Sequence, residues 1–242
     1  MIKLTLGILT LLGFSSHSLA TNLVEREGRY EINWSTGKVR FYGVGQIAAG
    51  DDSFRAAEQR AWADGLKAAE SHIPKVLSNK LGAVDKLSVE KLSKLSTATV
   101  SVSTTYFGDN RVKVLLEAPI QKITPQLVNS SAGGNSAASS NQAGVVIKLP
   151  KGAKPSVFVK VLDEHGREMV STKEMVAGAH AGAPLARWFK TTADLGNGGP
   201  TADSPVISGT SPEAGVVRIQ SSDWKPAYAS AFTAGSAAFV VQ

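Results

Sequence analysis

Asp163-Glu164-His165 sets two carboxylates beside an imidazole, a group that could hold a cation or move a proton. The same residues run into Gly166-Arg167 between two apolar stretches, and turns select such residues without any chemistry. A solvated turn is the simpler reading. His72 and His180 are the other histidines beyond residue 20, and no two of the three stand at the i, i+3 or i+4 spacing of a helical metal face. The chain has no cysteine, which excludes disulfides and any thiolate metal site or nucleophile. No G-x-S-x-G elbow occurs, and no S-x-x-K set is completed by its companion motifs. Glycosidase carboxylates are recognised by their separation in space, and the sequence singles out no pair. The expectation is therefore a protein that is not an enzyme, with no catalytic residue, no metal and no cofactor.

Gly43-Val44-Gly45-Gln46-Ile47-Ala48 follows a strand and precedes a helix, as a dinucleotide fingerprint would. The helix signal begins only near Ser53, too late for the glycine amides to sit on its N-terminus. The glycines read better as the exit from the strand. Aromatic residues are the stronger lead. Trp34, Phe41, Tyr42, Trp62, Tyr106 and Phe107 all lie in the first half. Neighbouring residues on a strand face opposite ways, so one of each pair should pack under a helix and the other face outward. Trp34, Tyr42, Trp62 and Tyr106 are the candidates for a partner surface.

The elements that would hold these residues can be read from periodicity. Residues 29–34 and 38–44 alternate apolar and polar across a turn at Ser35-Thr36-Gly37, so they predict a hairpin. Asp51-Asp52-Ser53 offers N-caps to a helix over 54–73. Phe54, Ala57, Ala61, Gly65, Ala68 and Ala69 share one face, small enough to lie close to a sheet. Pro74 should kink or divide that helix. A narrow apolar stripe predicts a second helix over 84–95, and strands follow over 97–107 and 111–118. The second half predicts strands over 145–149, 156–162, 168–171, 216–219 and 237–241. A short helix falls within 222–235, and an irregular region spans 177–214. The expected class is α+β: a long helix packed on a small antiparallel sheet, followed by a second, mainly β domain.

Residues 1–20 join Lys3, an apolar run over 4–14, and Ser18-Leu19-Ala20, the layout of a bacterial secretory signal peptide cut after Ala20. The run is about a dozen residues, short of the roughly 20 that span a bilayer. The expectation is a periplasmic or secreted protein without a transmembrane anchor after cleavage. Residues 129–142 are small, polar and uncharged, so they predict a flexible linker between domains over 22–128 and 143–242. Lys and Arg number 26 against 20 Asp and Glu, a net +6 without a run of adjacent basic residues, which argues against a nucleic-acid partner.

Three segments carry a family resemblance: Phe41-Tyr-Gly-Val-Gly45, Ala56-Ala-Glu-Gln-Arg-Ala-Trp-Ala-Asp-Gly-Leu66 and Val112-Lys-Val-Leu-Leu-Glu-Ala-Pro119. In the second half, Gly144-Val-Val-Ile147, Pro155 and Val161-Leu-Asp-Glu-His-Gly-Arg-Glu168 add to it. Together they resemble exported bacterial envelope proteins, the LPP-twenty lipoprotein family and the N-terminal domain of flagellar assembly protein T. The resemblance implies a non-enzymatic envelope protein, in some members tied to flagellar ring assembly. The lipidated cysteine of the lipoproteins is missing here. The expected function is an assembly or scaffold factor that docks envelope proteins of unknown identity through a sheet edge or aromatic patch, with a homo-oligomer open. The alternative is a periplasmic ligand-binding module for glycan, lipid or small molecule.

Overall fold

The computed structural model describes residues 22–51, 53–79, 95–123, 144–172, 186–195, 200–201 and 203–242. These residues form two sheets. The first has five strands in the order β1-β2-β3-β5-β4: β1 (Val24–Glu27), β2 (Tyr30–Asn33), β3 (Lys38–Gln46), β4 (Val100–Tyr106) and β5 (Arg111–Pro119). Every pairing in it is antiparallel. The second has seven strands in the order β8-β7-β11-β10-β6-β12-β9. Its members are β6 (Val145–Leu149), β7 (Lys160–Leu162), β8 (Glu168–Ser171), β9 (Arg187–Phe189), β10 (Val206–Glu213), β11 (Val216–Ile219) and β12 (Ala237–Val241).

This architecture corrects the expected class. The chain is mostly β, built on sheets of five and seven strands, and a long helix on a small sheet does not describe it. Among the described residues, α-helix is found at α1 (Phe54–Asn79), α4 (Pro226–Thr233) and the single turns α2 (Leu95–Ala98) and α3 (Ile120–Ile123), with 3-10 turns at Thr192–Asp194 and Ser221–Asp223. Two of the strands, β9 and β10, fall inside 177–214, where glycine and proline had argued for irregular chain. They form because neighbours supply their hydrogen bonds: β10 lies between β6 and β11, and β9 pairs with β12. The pairings β6–β10, β6–β12, β7–β11 and β9–β12 are parallel, so the second sheet is mixed and its central strands are apolar on both faces.

α1 runs through Pro74 to Asn79, further than the expected break. Pro226 opens α4 at its first turn, where a missing N–H costs nothing. The stripe over 84–95 lies outside the described residues except for Leu95, as do the linker 129–142 and the leader 1–20.

α1 lies across β3 and β5 because both surfaces are cut down to backbone. A Cβ on Gly43 would overlap the Ala61 carbonyl, and one on Gly45 would overlap the Ala57 carbonyl. The glycines of the supposed phosphate motif therefore sit inside a strand under the helix. β2 begins opposite Phe41, so beyond it β3 is paired with β5 but not with β2, and α1 satisfies part of the edge that β2 leaves open. The Val44 N–H donates to Asp64 Oδ2 at 2.9 Å, and Arg60 donates to the Gln46 carbonyl at 2.8 Å. Asp51 accepts from the Ala48 amide at 2.7 Å and pairs with Arg60, a role other than the expected helix cap.

The two halves meet through a buried junction. Trp188 N–H donates to the Trp34 carbonyl at 3.3 Å. The Ser35 hydroxyl donates to the Trp188 carbonyl at 2.7 Å and accepts from the Leu23 amide at 2.9 Å. Asn22, two residues before β1, forms an antiparallel bridge with Phe189 at the β9 edge. The Trp188 ring stacks on Phe239 at 4.8 Å, and its Nε1 donates to the Ser156 carbonyl at 3.0 Å.

Candidate partner surface at the free edge of the first sheet

β4 reads Val-Ser-Val-Ser-Thr-Thr-Tyr, and all seven residues are exposed. Its β-branched side chains favour extended backbone. Among the described residues it pairs with β5 on one side only, so its other edge presents strand backbone with no partner among them. Natural edges are usually guarded by charge or proline, and this one carries neither between residues 100 and 106. A bulge between Ser101 and Ser103 shifts the register and is the one blunting feature.

The helix does not cover this strand fully. A groove of about 310 Å³ runs between α1 and β4, walled by Glu58, Gln59, Trp62, Ser101 and Thr104, with Val114 as its floor. Large apolar side chains cluster at the strand. Val100 is 57 % exposed, Val102 45 %, Phe54 52 % and Tyr106 51 %. The Phe54 and Tyr106 rings meet edge to face at 5.1 Å. The Tyr106 hydroxyl donates to Glu58, and that carboxylate holds the phenol pKa above its ordinary value. The Arg111 guanidinium lies 5.4 Å from the centre of the exposed Phe107 ring. Aromatic rings with arginine at a rim are the residue types that dominate protein interfaces.

The four expected surface residues divide here. Trp62 and Tyr106 come together on the α1 side of β4, one in the groove and one at its end. Tyr42 is half-buried on the sheet face turned away from α1, with Lys113 Nζ 3.9 Å from its ring centre. Trp34 is no surface residue: it is 2 % exposed, and its Nε1 donates to Glu25 at 3.2 Å. Its place at the junction with the second sheet could not be read from the hairpin alone. Sequence reasoning also put Phe54 on the core face of the helix. It overhangs β4 because the first turn of α1 stands beyond the packed glycines.

Beside Tyr42, the outer face of the sheet is an ion-pair ladder across four strands. Arg26 pairs with Glu31 at 2.7 Å, and Arg40 reaches Glu31 at 3.9 Å and Glu117 at 2.8 Å. Lys38 closes it on Glu117 at 2.6 Å. Burial pushes the Glu117 carboxyl up, yet Lys38 and Arg40 outweigh it and hold the pKa below the ordinary value. Such a face is soluble and does not compete with the β4 edge for an apolar partner.

The Asp163-Glu164-His165 group is structural. Asp163 is buried, a correction to the solvated turn. It accepts from the amides of His165 and Arg167 at 2.9 and 2.8 Å, and from Arg167 Nε at 2.7 Å. Burial pushes its carboxyl up, but these donors outweigh it and bring the pKa down. Glu164 is held by the amide and hydroxyl of Ser221 at 2.8 and 2.7 Å. Among the described residues, no three His, Asp or Glu side chains stand together as a metal site. No described helix is long and apolar enough to cross a membrane. His180 lies outside the described residues.

No protein-family model and no curated protein matches this chain.

Proposed function

We propose that the chain is an exported bacterial envelope protein and acts as a non-enzymatic assembly or scaffold factor. The observation that carries this reading is β4: an uncharged edge strand, exposed along its whole length, with aromatic side chains at its end. An extended segment of a partner would add to the edge by main-chain hydrogen bonds, and alternate side chains would enter the Trp62 groove. Export rests on the leader-like residues 1–20. A flagellar setting rests on the resemblance alone.

The test is a photo-crosslinking amino acid at Ser103, on β4, and at Lys190, next to β9 of the second sheet, in living cells. A small set of envelope proteins captured from Ser103 and not from Lys190 supports the reading. Equal capture from both positions, or none from Ser103, refutes docking on this edge. Recovery of the protein from the cytosolic fraction refutes the envelope assignment. Normal swimming and normal basal bodies in a deletion strain remove the flagellar version.

A further inference from the structure

A cavity of about 770 Å³ lies where β1, β2 and α1 of the first sheet meet loops of the second half. Leu23, Glu27, Tyr30 and His72 wall it on one side, and Lys154 and Pro155 on the other. A second hollow of about 650 Å³ continues along α1, and Glu27, Tyr30 and His72 line both. Each volume falls within the roughly 300–1,000 Å³ of small-molecule sites, which favour junctions between packed units.

Tyr30 is the residue that packing does not explain. It is 7 % exposed, and its hydroxyl is closed from solvent without a hydrogen bond of normal geometry. A phenylalanine would fill the same space without burying an unsatisfied donor. Glu27 stands directly across the strand pair from Tyr30 and is exposed. Burial, and then the Glu27 carboxylate beside it, push the Tyr30 pKa well above the ordinary range, so the phenol stays protonated. The strand register puts Glu25 on the same face of β1, where it accepts from Trp34. The mouth of the cavity is therefore negative at β1, and Lys154 stands on the opposite wall.

We propose that this cavity binds a small amphiphilic amine, its ammonium group held by the exposed Glu27 carboxylate. The buried Tyr30 hydroxyl lies behind that carboxylate, and donating to it as the ammonium draws it inward satisfies the phenol. The apolar tail lies against Leu23, Val76 and Pro155. An anionic head group would face Glu25 and Glu27 and is disfavoured. Lys154 keeps the cationic end of the ligand at β1. The site is separate from the β4 edge and does not depend on the scaffold reading.

The test is calorimetric titration of the purified protein at pH 7 with n-hexylamine, n-hexanol and n-hexanoate. Hexylamine should bind at least about tenfold tighter than hexanol, as a charge-assisted hydrogen bond requires. Glu27→Gln should erase that preference, and Tyr30→Phe, which keeps the ring, should weaken hexylamine binding several-fold without unfolding the protein. Three results overturn the proposal: equal binding of amine and alcohol, tighter binding of hexanoate, or no binding of hexylamine. Retention of the full amine preference in Glu27→Gln also overturns it.

Discussion

Gly43 and Gly65 face each other across the contact between α1 and the first sheet. A Cβ on Gly65 would stand 3.0 Å from the Gly43 amide nitrogen and 2.8 Å from Leu116 Cδ1. One on Gly43 would overlap the Gly65 amide. The helix is thus seated on backbone, and its position sets how far Trp62 and Phe54 reach over β4.

Gly43→Ala should be among the most damaging small substitutions in the chain. The methyl group meets main chain, which cannot rotate away, so the helix must lift from the sheet. Overpacking of this kind costs about 1–3 kcal/mol and sometimes more. Gly108→Ala has open space around its Cβ and no left-handed φ, and should stay within about 0.5 kcal/mol of the parent. Urea melts of the two variants check this. Equal midpoints would show that the helix is not held at this distance.

Asp64 links α1 to the edge of β3 that β2 leaves uncovered beyond Phe41. Its Oδ2 accepts from the Val44 amide at 2.9 Å and from Arg29 at 2.8 Å. Asp64→Ala should cost about 1–2 kcal/mol, and Asp64→Asn, which keeps an acceptor, should recover most of it. Amide hydrogen exchange at Val44 should speed up in the alanine variant and not in the asparagine one.

Ser35 joins the halves by accepting from Leu23 and donating to Trp188. Ser35→Ala leaves a buried acceptor and a partly buried donor without this partner. A loss of about 1–3 kcal/mol follows, with exchange of the Leu23 amide rising first. Unchanged exchange at Leu23 would mean that the junction is held by apolar contact alone.

Acid should weaken the first sheet through Glu117. Its folded pKa lies below the ordinary 4.5 because Lys38 and Arg40 stabilise the carboxylate against its burial. The linked stability is present above 4.5 and is lost as the pH falls through the depressed folded value. Stability curves between about pH 5 and pH 3 should be flatter in Glu117→Gln than in the parent. A parallel curve would show that Glu117 titrates alike in the folded and unfolded chains.

A lysine at Ser103 should guard the edge as natural edge strands are guarded. Ser103→Lys is expected to abolish partner capture while stability stays within about 0.5 kcal/mol of the parent. Loss of capture together with unfolding would point to a packing role for β4 instead, which Thr105→Lys on the same strand would separate.

The strands that alternate were legible because one face of a half-buried antiparallel strand must be apolar and the other polar. Lys38–Gln46 and Arg111–Pro119 show this period plainly. Val206–Glu213 does not: it carries Gly209 and Pro212, and it is a strand because β6 and β11 flank it. Of the candidate surface, Tyr106 is exposed, but so is Phe107, although alternation expected one of the two to pack under the helix. Trp34 sits on an equally good pattern, yet it is buried by β9, more than 150 residues along the chain, as the Ser35–Trp188 separation of 153 shows.

Residue types and spacing determined by themselves that no cysteine chemistry occurs, where three of the hairpins turn (35–37, 108–110 and 163–167), and that α1 has a face of alanine and glycine suited to close packing, but not the β1–β2 or β10–β11 turns. These follow from local sterics and from side-chain chemistry within a few positions. Tertiary structure alone decided that the second sheet is mixed, that Asp163 is buried under Arg167, and that β4 is left at an edge. It also placed Glu27 and Tyr30 at the wall of a cavity shared by both halves. Each of these depends on pairing between segments far apart in the chain, and a period of two reports which way a side chain faces without saying what it will face.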